Sequence, residues 1–294
     1  MTELMSMDNT LSPKSFYIFG SGISFSISPT IHNAGFQHYN LPYTYEIRES
    51  PSIHDVAHLI GDSKFGGGSV TMPHKLQVDK YCTNQTVTAR TIGAINTLVV
   101  RGEGNERIIT GDNTDWSGLY NIITSYTTKG SRQPKAGLVI GAGGASRAAL
   151  YAMHRVGIPK IFLVNRTSKT ADKVRADFES VFDIEVLPGL ASLKELPQLP
   201  DVIIGTIPAD VTSEEQFSSI FGSQGLCIDM AYQPRQTPLL TAAQRQQGWN
   251  TVTGVEVLLA QAYDQFELWT ARSAPRGVIE DAVAAHEREK AKLA

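Results

Sequence analysis

Residues 136–147 read AGLVIGAGGASR, and this segment indicates the class of fold. Its first five residues are apolar, as in a buried strand, and small residues then occupy Gly141, Gly143 and Ser146. The first glycine permits a tight turn, the second lets the backbone approach a pyrophosphate, and the small third residue lets a helix pack closely on the strand. Since a helix is predicted directly afterwards, over Ala145–Val156, the turn is typical of a dinucleotide-binding βα unit.

Strands and helices alternate after this turn. Apolar runs predict strands at Lys160–Val164, Val202–Ile204 and Leu226–Asp229, with helices between them. Alternation at this spacing is typical of a parallel, doubly wound sheet. Residues 117–252 are therefore predicted to form a Rossmann domain, and a polar linker is expected at Lys129–Lys135.

The chain before the turn also reads as α/β, with some antiparallel character. A turn-rich segment at 102–105 separates two apolar runs and predicts a hairpin, and Pro73 is expected to open a helix. The tail from Gly254 has apolar residues at helical spacing, which is more typical of core than of a site. The other predicted elements are strands at Phe16–Phe19, Tyr43–Ile47, Gly66–Thr71, Ile95–Val100 and Ile108–Thr110, and helices at Pro29–Tyr39, Ile53–Ile60 and Trp116–Thr127.

Composition excludes several classes of protein. A chain of 294 residues fits two domains, and 41% hydrophobic with 19% charged residues is ordinary for a globular fold. The net charge of −3 gives no field that would attract nucleic acid or an anionic membrane. Cys82 and Cys227 have neither metal nor redox spacing, and Met1–Pro13 lacks the apolar core of a signal peptide. We expect a cytoplasmic monomer or homodimer without a metal, a nucleic-acid partner or a membrane span.

The residues after the second Rossmann strand discriminate between cofactors. An NAD site usually has an acidic residue about twenty positions past the turn, where it binds the ribose 2′-hydroxyl. This chain has Asn165, Arg166, Thr167 and Lys169 there. Arg166 and Lys169 offer positive charge to a 2′-phosphate, so NADP is favoured. The alternative is an ordinary solvated helix start with Thr167 or Ser168 as its N-cap.

A lysine and an aspartate forty residues apart form the predicted chemical pair. Lys75 ends SVTMPHK at residues 69–75, and Asp115 ends GDNTD at residues 111–115. Each is expected to follow a strand, where loops gather around a crevice. A lysine beside a carboxylate can move the proton of an alcohol while hydride leaves the same carbon. Without these motifs, surface positions would be the default interpretation of both residues. His74 is expected in a capping or surface role and not as the base.

Seven ordered motifs resemble those of the shikimate dehydrogenase family. The resemblance covers nearly the whole chain, and motifs in this order and at this spacing are highly specific. They are SISPTIHN at 26–33, SVTMPHK at 69–75, GAINT at 93–97, GDNTD at 111–115, GAGGASRA at 141–148, NRT at 165–167 and GVEVLLAQ at 254–261.

The resemblance implies roles for individual residues. Ser26 and Ser28 would bind the substrate carboxylate, and Thr71, Asn96 and Asp115 would bind ring hydroxyls. Lys75 and Asp115 would act at the reacting oxygen, while Tyr232 and Gln261 would close the pocket. Each residue also has a simple structural interpretation: Ser28 could cap a helix, Asn96 could lie in a turn, and Gln261 and Tyr232 could be packed with wet polar ends. The cofactor-binding residues expected are Gly141, Gly143, Gly144, Ala145, Ser146, Asn165, Arg166, Thr167, Lys169, Thr206 and Gly254.

Three departures from the family pattern point to one branch of it. Ser69 stands where many members have Asn, Trp116 where many have Gly, and GTIP at 205–208 replaces the commoner Ala-Thr-Ser. These variants resemble the shikimate dehydrogenase region of the large multifunctional fungal polypeptide of the same pathway. A paralogue with a changed substrate, such as quinate, is the nearest alternative. A metabolite sensor without catalysis is a further alternative, although it would not need the Lys75–Asp115 pair.

The expected architecture is therefore two α/β domains around a cleft. Residues 1–116 and 253–294 would form the substrate-binding domain, and residues 117–252 would form the NADP-binding Rossmann domain. The expected activity is the reversible, NADPH-dependent reduction of 3-dehydroshikimate to shikimate.

Overall fold

The computed structural model describes residues 11–128 and 133–293. Most of the predicted linker at Lys129–Lys135 and most of Met1–Pro13 lie outside the described residues. Two six-stranded sheets organise the rest of the chain, so the predicted α/β architecture with a parallel second sheet is confirmed. No helix within the two described ranges combines the length and apolarity that crossing a bilayer requires.

The first sheet is mixed, with strand order β2-β1-β3-β5-β6-β4. Its first three strands in that order are parallel, whereas β5 runs antiparallel to both β3 and β6. The β5–β6 pair is the predicted hairpin, and it extends to Asp112, just before the predicted aspartate. The strands are β1 (Lys14–Gly20), β2 (Tyr43–Glu49), β3 (Phe65–Val70), β4 (Asn84–Gln85), β5 (Thr97–Arg101) and β6 (Ile108–Asp112), with helices α1 (Ser28–His38), α2 (Ile53–Gly61) and α3 (Val87–Ile92).

The second sheet is parallel throughout, with strand order β12-β11-β10-β7-β8-β9. The order reverses between β7 and β10, and in such sheets ligands bind beyond the carboxyl ends of the strands at this point. The elements are β7 (Ala136–Ile140), β8 (Lys160–Val164), β9 (Glu185–Leu187), β10 (Val202–Gly205), β11 (Gly225–Asp229) and β12 (Trp249–Val252), with helices α4 (Asp115–Thr128), α5 (Gly144–Val156), α6 (Ser168–Phe178) and α7 (Pro238–Gln244).

Apolar side chains cover both faces of the second sheet. All five residues of β7 are buried, and alternate positions along it contribute to two different clusters. A strand covered on both faces reads as a continuous apolar run rather than an alternating one. This explains why the strand at 136–140 was evident from sequence.

The two sheets are joined by helices that pack on both sides. Helix α4 begins at Asp115 and contacts α5 as well as α8 (Gly254–Thr270). A Cβ atom on Gly118 would lie 2.9 Å from the backbone nitrogen of Gln261, so only glycine allows α4 to approach α8 this closely. Arg147 on α5 adds a polar link, because its guanidinium donates to the Ile92 carbonyl oxygen of α3 at 3.3 Å.

Two predicted elements differ from the structure. Pro73 does not open an α-helix; it precedes two short 3₁₀ turns, His74–Leu76 and Val78–Tyr81, whose tighter geometry suits short connections. The tail forms two helices because the chain turns at Ala271, where φ is 54°. The second of these is α9 (Arg276–Leu293).

Candidate active site

A cavity of about 210 Å³ lies between the two halves of the chain. One wall comes from loops at the carboxyl ends of β1 and β3, and the other from the segment after β11 and the start of α8. Ser26 lies beside the cavity, bonded to Ser28. Of the residues nominated from sequence, the lining contains Ser28, Thr71, Lys75, Asn96, Asp115, Tyr232, Gly254 and Gln261.

The structure brings Lys75 and Asp115 into direct contact. Lys75 Nζ donates to Asp115 Oδ2 at 2.6 Å, and the two side chains are only 14% and 7% exposed. The short turn after β3 carries the lysine, while the aspartate is the first residue of α4. A charged pair held this close and largely out of water keeps a defined geometry and can pass a proton to a bound ligand.

Asn96 holds the second oxygen of the aspartate. Its Nδ2 donates to Asp115 Oδ1 at 2.9 Å and to Gln261 Oε1 at 3.1 Å. Its Oδ1 accepts from the backbone N–H of Thr114 at 2.7 Å. Both carboxylate oxygens of Asp115 are therefore bonded by named donors, so the group cannot rotate freely.

Hydroxyl groups gather at the other end of the cavity. Ser26 Oγ donates to Ser28 Oγ at 3.1 Å, and Phe25 packs edge-on against Tyr232 at 5.5 Å between ring centroids. Burial raises the pKa of Tyr232, and a hydrogen bond with Ser26 opposes that shift. The phenol therefore stays a neutral donor, and this cluster can hold an anion without a formal positive charge.

The glycine-rich turn is held by side chains beneath it. Gly141 has φ of 115°, and a Cβ there would lie 2.4 Å from Thr206 Oγ1. Ser146 and Thr206 bond to each other at 2.7 Å, and Thr206 Oγ1 donates to the Ile140 carbonyl oxygen at 2.8 Å. The Gly143 N–H donates to Ser146 Oγ at 3.0 Å. The side chains of Ser146 and Thr206 thus support the turn from within.

The same turn reaches the chemical pair. A Cβ on Gly144 would lie 3.0 Å from Cβ of Lys75, whereas one on Gly143 would meet nothing within 4 Å. Open space above Gly143 at the start of α5 fits a dinucleotide pyrophosphate, because the helix N-terminus presents N–H groups and a partial positive charge. Gly254, by contrast, is required by the backbone, since a Cβ there would lie 2.5 Å from the Ala231 carbonyl oxygen.

The basic residues after β8 are exposed. Arg166 and Lys169 point no polar atom at a described partner, and Asn165 Nδ2 donates to the Thr167 carbonyl oxygen at 2.9 Å. Thr167 occupies the N-cap position of α6, but its side chain makes no capping hydrogen bond. The segment is thus a solvated helix start with Thr167 at its N-cap position, as the alternative interpretation expects, and its two cations are exposed.

His74 differs from its expected position. It is fully buried, and its Nε2 lies 2.9 Å from the Ser50 carbonyl oxygen, so a surface role is wrong. Burial lowers the pKa of His74, which favours the neutral ring. The ring ties the segment that carries Lys75 to Ser50, and His74 is not among the residues that line the cavity.

Two buried polar residues of the lining were not predicted as site residues from sequence. Ser69 and Gln265 both line the cavity, and both are buried. Gln265 lies four residues beyond Gln261, one turn along α8, so the helical period could have identified it. Ser69 was noticed only as a departure from a family pattern.

Comparisons with known proteins identify the family of this chain. The family model described as the shikimate dehydrogenase substrate binding domain matches residues 18–98, and the one described as the shikimate 5'-dehydrogenase C-terminal domain matches residues 254–284. The pentafunctional AROM polypeptide of Schizosaccharomyces japonicus is 37% identical over 287 residues, covering 92% of this chain. The chain belongs to the shikimate dehydrogenase family. It spans only 18% of the length of that curated relative.

Solved structures of similar proteins have the same fold as this chain. The dehydroquinate dehydratase and shikimate dehydrogenase from AroM of S. pombe is 33% identical, with a TM-score of 0.75, over 93% of this chain and 53% of that one. Quinate dehydrogenase from Corynebacterium glutamicum in complex with NAD has a TM-score of 0.80 over 93% of this chain and 100% of that one. At 21% identity the second likeness concerns the fold alone. The fold of the shikimate dehydrogenase family therefore does not by itself decide between these substrates or cofactors.

Proposed function

We propose that this protein is a shikimate dehydrogenase that reversibly reduces 3-dehydroshikimate to shikimate with NADPH. The observation that carries the proposal is the 2.6 Å contact between Lys75 Nζ and Asp115 Oδ2, in a cavity where Gly144 of the dinucleotide turn abuts Lys75. A proton-transfer pair and a cofactor turn that meet in one cleft suit the interconversion of a ketone and a secondary alcohol. The substrate side would comprise residues 1–116 and 253–294, and the NADP side residues 117–252.

The chemical step needs one hydride and one proton. When bound, NADPH supplies the hydride, which adds to the carbonyl carbon. As the carbonyl oxygen becomes a hydroxyl, the Lys75 ammonium gives it a proton, and Asp115 holds that ammonium in line. In the reverse direction Lys75 takes the hydroxyl proton back. The buried position of the pair keeps bulk water from competing for this oxygen.

Substrate positioning follows from the two ends of the cavity. Ser26, Ser28 and Tyr232 provide neutral hydroxyls for the ring carboxylate, while Asn96 and Thr71 face the ring hydroxyls. Gln261 extends from α8 and accepts a hydrogen bond from Asn96. A cyclic polyol with one carboxylate is thus held at both ends, with its reacting oxygen at Lys75.

NADP is favoured over NAD because of the exposed cations after β8. Arg166 can bind a 2′-phosphate with a planar pair of donors, and Lys169 adds a second charge. The segment 165–169 contains no acidic residue that would bind a ribose 2′-hydroxyl and repel a phosphate.

A four-way steady-state assay tests the proposal. Shikimate and quinate are each oxidised with NADP and with NAD, and kcat/KM is compared across the four pairs. We expect the shikimate–NADP pair to exceed each of the others by at least about tenfold. A larger kcat/KM for quinate would assign the pocket to quinate, and a larger value with NAD would show that Arg166 does not select NADP. Binding of either acid without an absorbance change of the nicotinamide would favour a sensor.

A further inference from the structure

The Gln265 side chain forms hydrogen bonds with two neighbouring strands, β3 and β5, next to the cavity. It is only 1% exposed, and it projects from α8 onto the pair formed by Ser69 on β3 and Thr97 on β5, which face each other across the sheet. Ser69 Oγ donates to Gln265 Oε1 at 2.9 Å, and Gln265 Nε2 donates to Thr97 Oγ1 at 2.9 Å. One side chain therefore connects a helix with both strands.

The direction of these hydrogen bonds is fixed by groups that can only donate or only accept. Gln265 Nε2 also donates to the Asn96 carbonyl oxygen at 3.2 Å, an atom that can only accept. The Asn96 amide is oriented in the same way, since its Oδ1 receives the Thr114 N–H and its Nδ2 faces the Asp115 carboxylate. Neither amide can flip without placing two like groups in contact.

The bonds form one continuous chain that ends at the chemical pair. It begins where Tyr45 OH donates to Ser69 Oγ at 2.6 Å, and it passes through Gln265 to Thr97. Thr97 Oγ1 then donates to Asn96 Oδ1 at 2.6 Å, and Asn96 Nδ2 donates to Asp115 Oδ1 at 2.9 Å. Each donor is polarised by the bond it accepts, so the chain strengthens toward the carboxylate.

We propose that Gln265 and Thr97 are positioning residues that orient the Asn96 amide and, through it, the carboxylate of Asp115. Gln265 acts through Thr97, and Asn96 is the first member of the chain to touch Asp115. The inference rests on the proposed function, because it assigns these residues to the Lys75–Asp115 pair. It also accounts for the serine at position 69, which supplies a single donor to the glutamine.

The sharpest test is Gln265→Glu, which changes one donor into an acceptor at nearly constant shape. The ionised side chain accepts from Ser69 but cannot donate to Thr97, so we expect kcat to fall about 30-fold while shikimate KM changes less than about threefold. His32 is the titratable side chain that faces position 265, and burial keeps its ring neutral. Burial also raises the pKa of a carboxyl group at this position, and its protonated form donates again. The ratio of variant to wild-type kcat should therefore rise as the pH is lowered. Gln37→Glu, at an exposed position on α1, is the matched control.

Ser69→Ala and Tyr45→Phe extend the test along the chain. We expect Gln265→Glu to lower kcat most, Ser69→Ala about fivefold and Tyr45→Phe less, since each removes a bond farther from Asp115. Loss of thermal stability with wild-type kcat, or a kcat ratio for Gln265→Glu that does not depend on pH, would overturn the inference and leave Gln265 as a packing residue.

A readout without turnover separates this inference from the proposed function. Exchange of the Asn96 side-chain amide protons is followed by nitrogen-15 NMR, with assignment from Asn96→Asp. We expect Gln265→Glu to accelerate this exchange at least about tenfold, and Gln37→Glu to leave it unchanged. If wild-type protein does not oxidise shikimate, the proposed function fails, while slow exchange in wild type and fast exchange in the variant would still support the chain. Equal exchange in both would refute it.

Discussion

The two walls of the cleft are built in opposite ways. On the substrate side, Lys75 and Asn96 both donate to Asp115, and the three side chains are almost removed from water. On the cofactor side, Arg166 and Lys169 are exposed and Gly143 borders open space. One wall holds its polar groups in place before any ligand arrives, and the other leaves its charges in solvent.

The difference fits the role proposed for each side of the cleft. A proton-transfer pair loses rate when its geometry drifts, so fixed bonds lower the cost of reaching the transition state. A phosphate can be held by flexible cations, whose attraction to it is strong but tolerant of position. Substitutions on the first wall should therefore change kcat, and those on the second should change KM.

Lys75→Ala should give the largest effect, because it removes the proposed proton donor from the substrate side of the cleft. We expect kcat to fall about 10³-fold, while the Kd for shikimate rises much less. Steady-state rates and a calorimetric binding titration measure the two quantities. Lys64→Ala, at an exposed position in the same half of the chain, is the control. Turnover close to wild type would exclude Lys75 from the proton transfer.

The double variant Arg166→Ala with Lys169→Ala removes the exposed cations from the cofactor side of the cleft. We expect KM for NADPH to rise about 30-fold with kcat nearly unchanged, because exposed charge-assisted contacts contribute to binding rather than to the step itself. The response with NADH should stay the same within about twofold, since that cofactor lacks the 2′-phosphate. Arg175→Ala, exposed on α6, is the control. A fall in kcat of similar size would mean that the two walls do not divide their roles.

The stability of the substrate side should also depend on pH, although this effect is smaller. His32 is fully buried and stacks on Tyr45 at 4.6 Å between ring centroids. Burial lowers the pKa of His32 from 6.5 to about 3. Between these values the unfolded chain binds a proton that the folded chain does not, so the free energy of unfolding falls as pH falls.

His32→Phe tests this contribution. The variant should reduce the dependence of unfolding free energy on pH by about 1.4 kcal/mol per pH unit between pH 6 and 4. Urea unfolding at several pH values measures the slope, and His38→Phe at an exposed position on α1 controls for the loss of a histidine. Equal slopes of unfolding free energy against pH for wild type and His32→Phe would show that His32 is protonated in the folded protein in this pH range.

The fold was largely readable because its deciding elements are local. The strand at 136–140, the glycine turn and helix α5 follow one another along the chain, and each has its own pattern. The hairpin of β5 and β6 was predicted for the same reason. The turn after Pro73 was not, since a run of a few polar residues does not distinguish an α-helix from a 3₁₀ turn.

The candidate site was only partly readable because its bonds join distant segments. Lys75 and Asp115 were nominated by their motifs, and the structure places them in contact. Gln265 and Ser69 meet across 196 positions of sequence, and no local pattern reports such a pairing. The buried His74 was misplaced for the same reason, since its partner Ser50 lies on another loop.

Helix α4 has a consequence for how the cleft can open. It starts at Asp115, and it lies against α5 of one sheet and α8 of the other half. With Gly118 seated directly on the backbone of Gln261, the first turn of this helix stays with the substrate wall. Asp115 therefore lies where the two halves join, so a rotation of one half against the other would displace this residue little. A rotation of the halves about this helix would move their outer loops farther than it moves the Asp115 carboxylate.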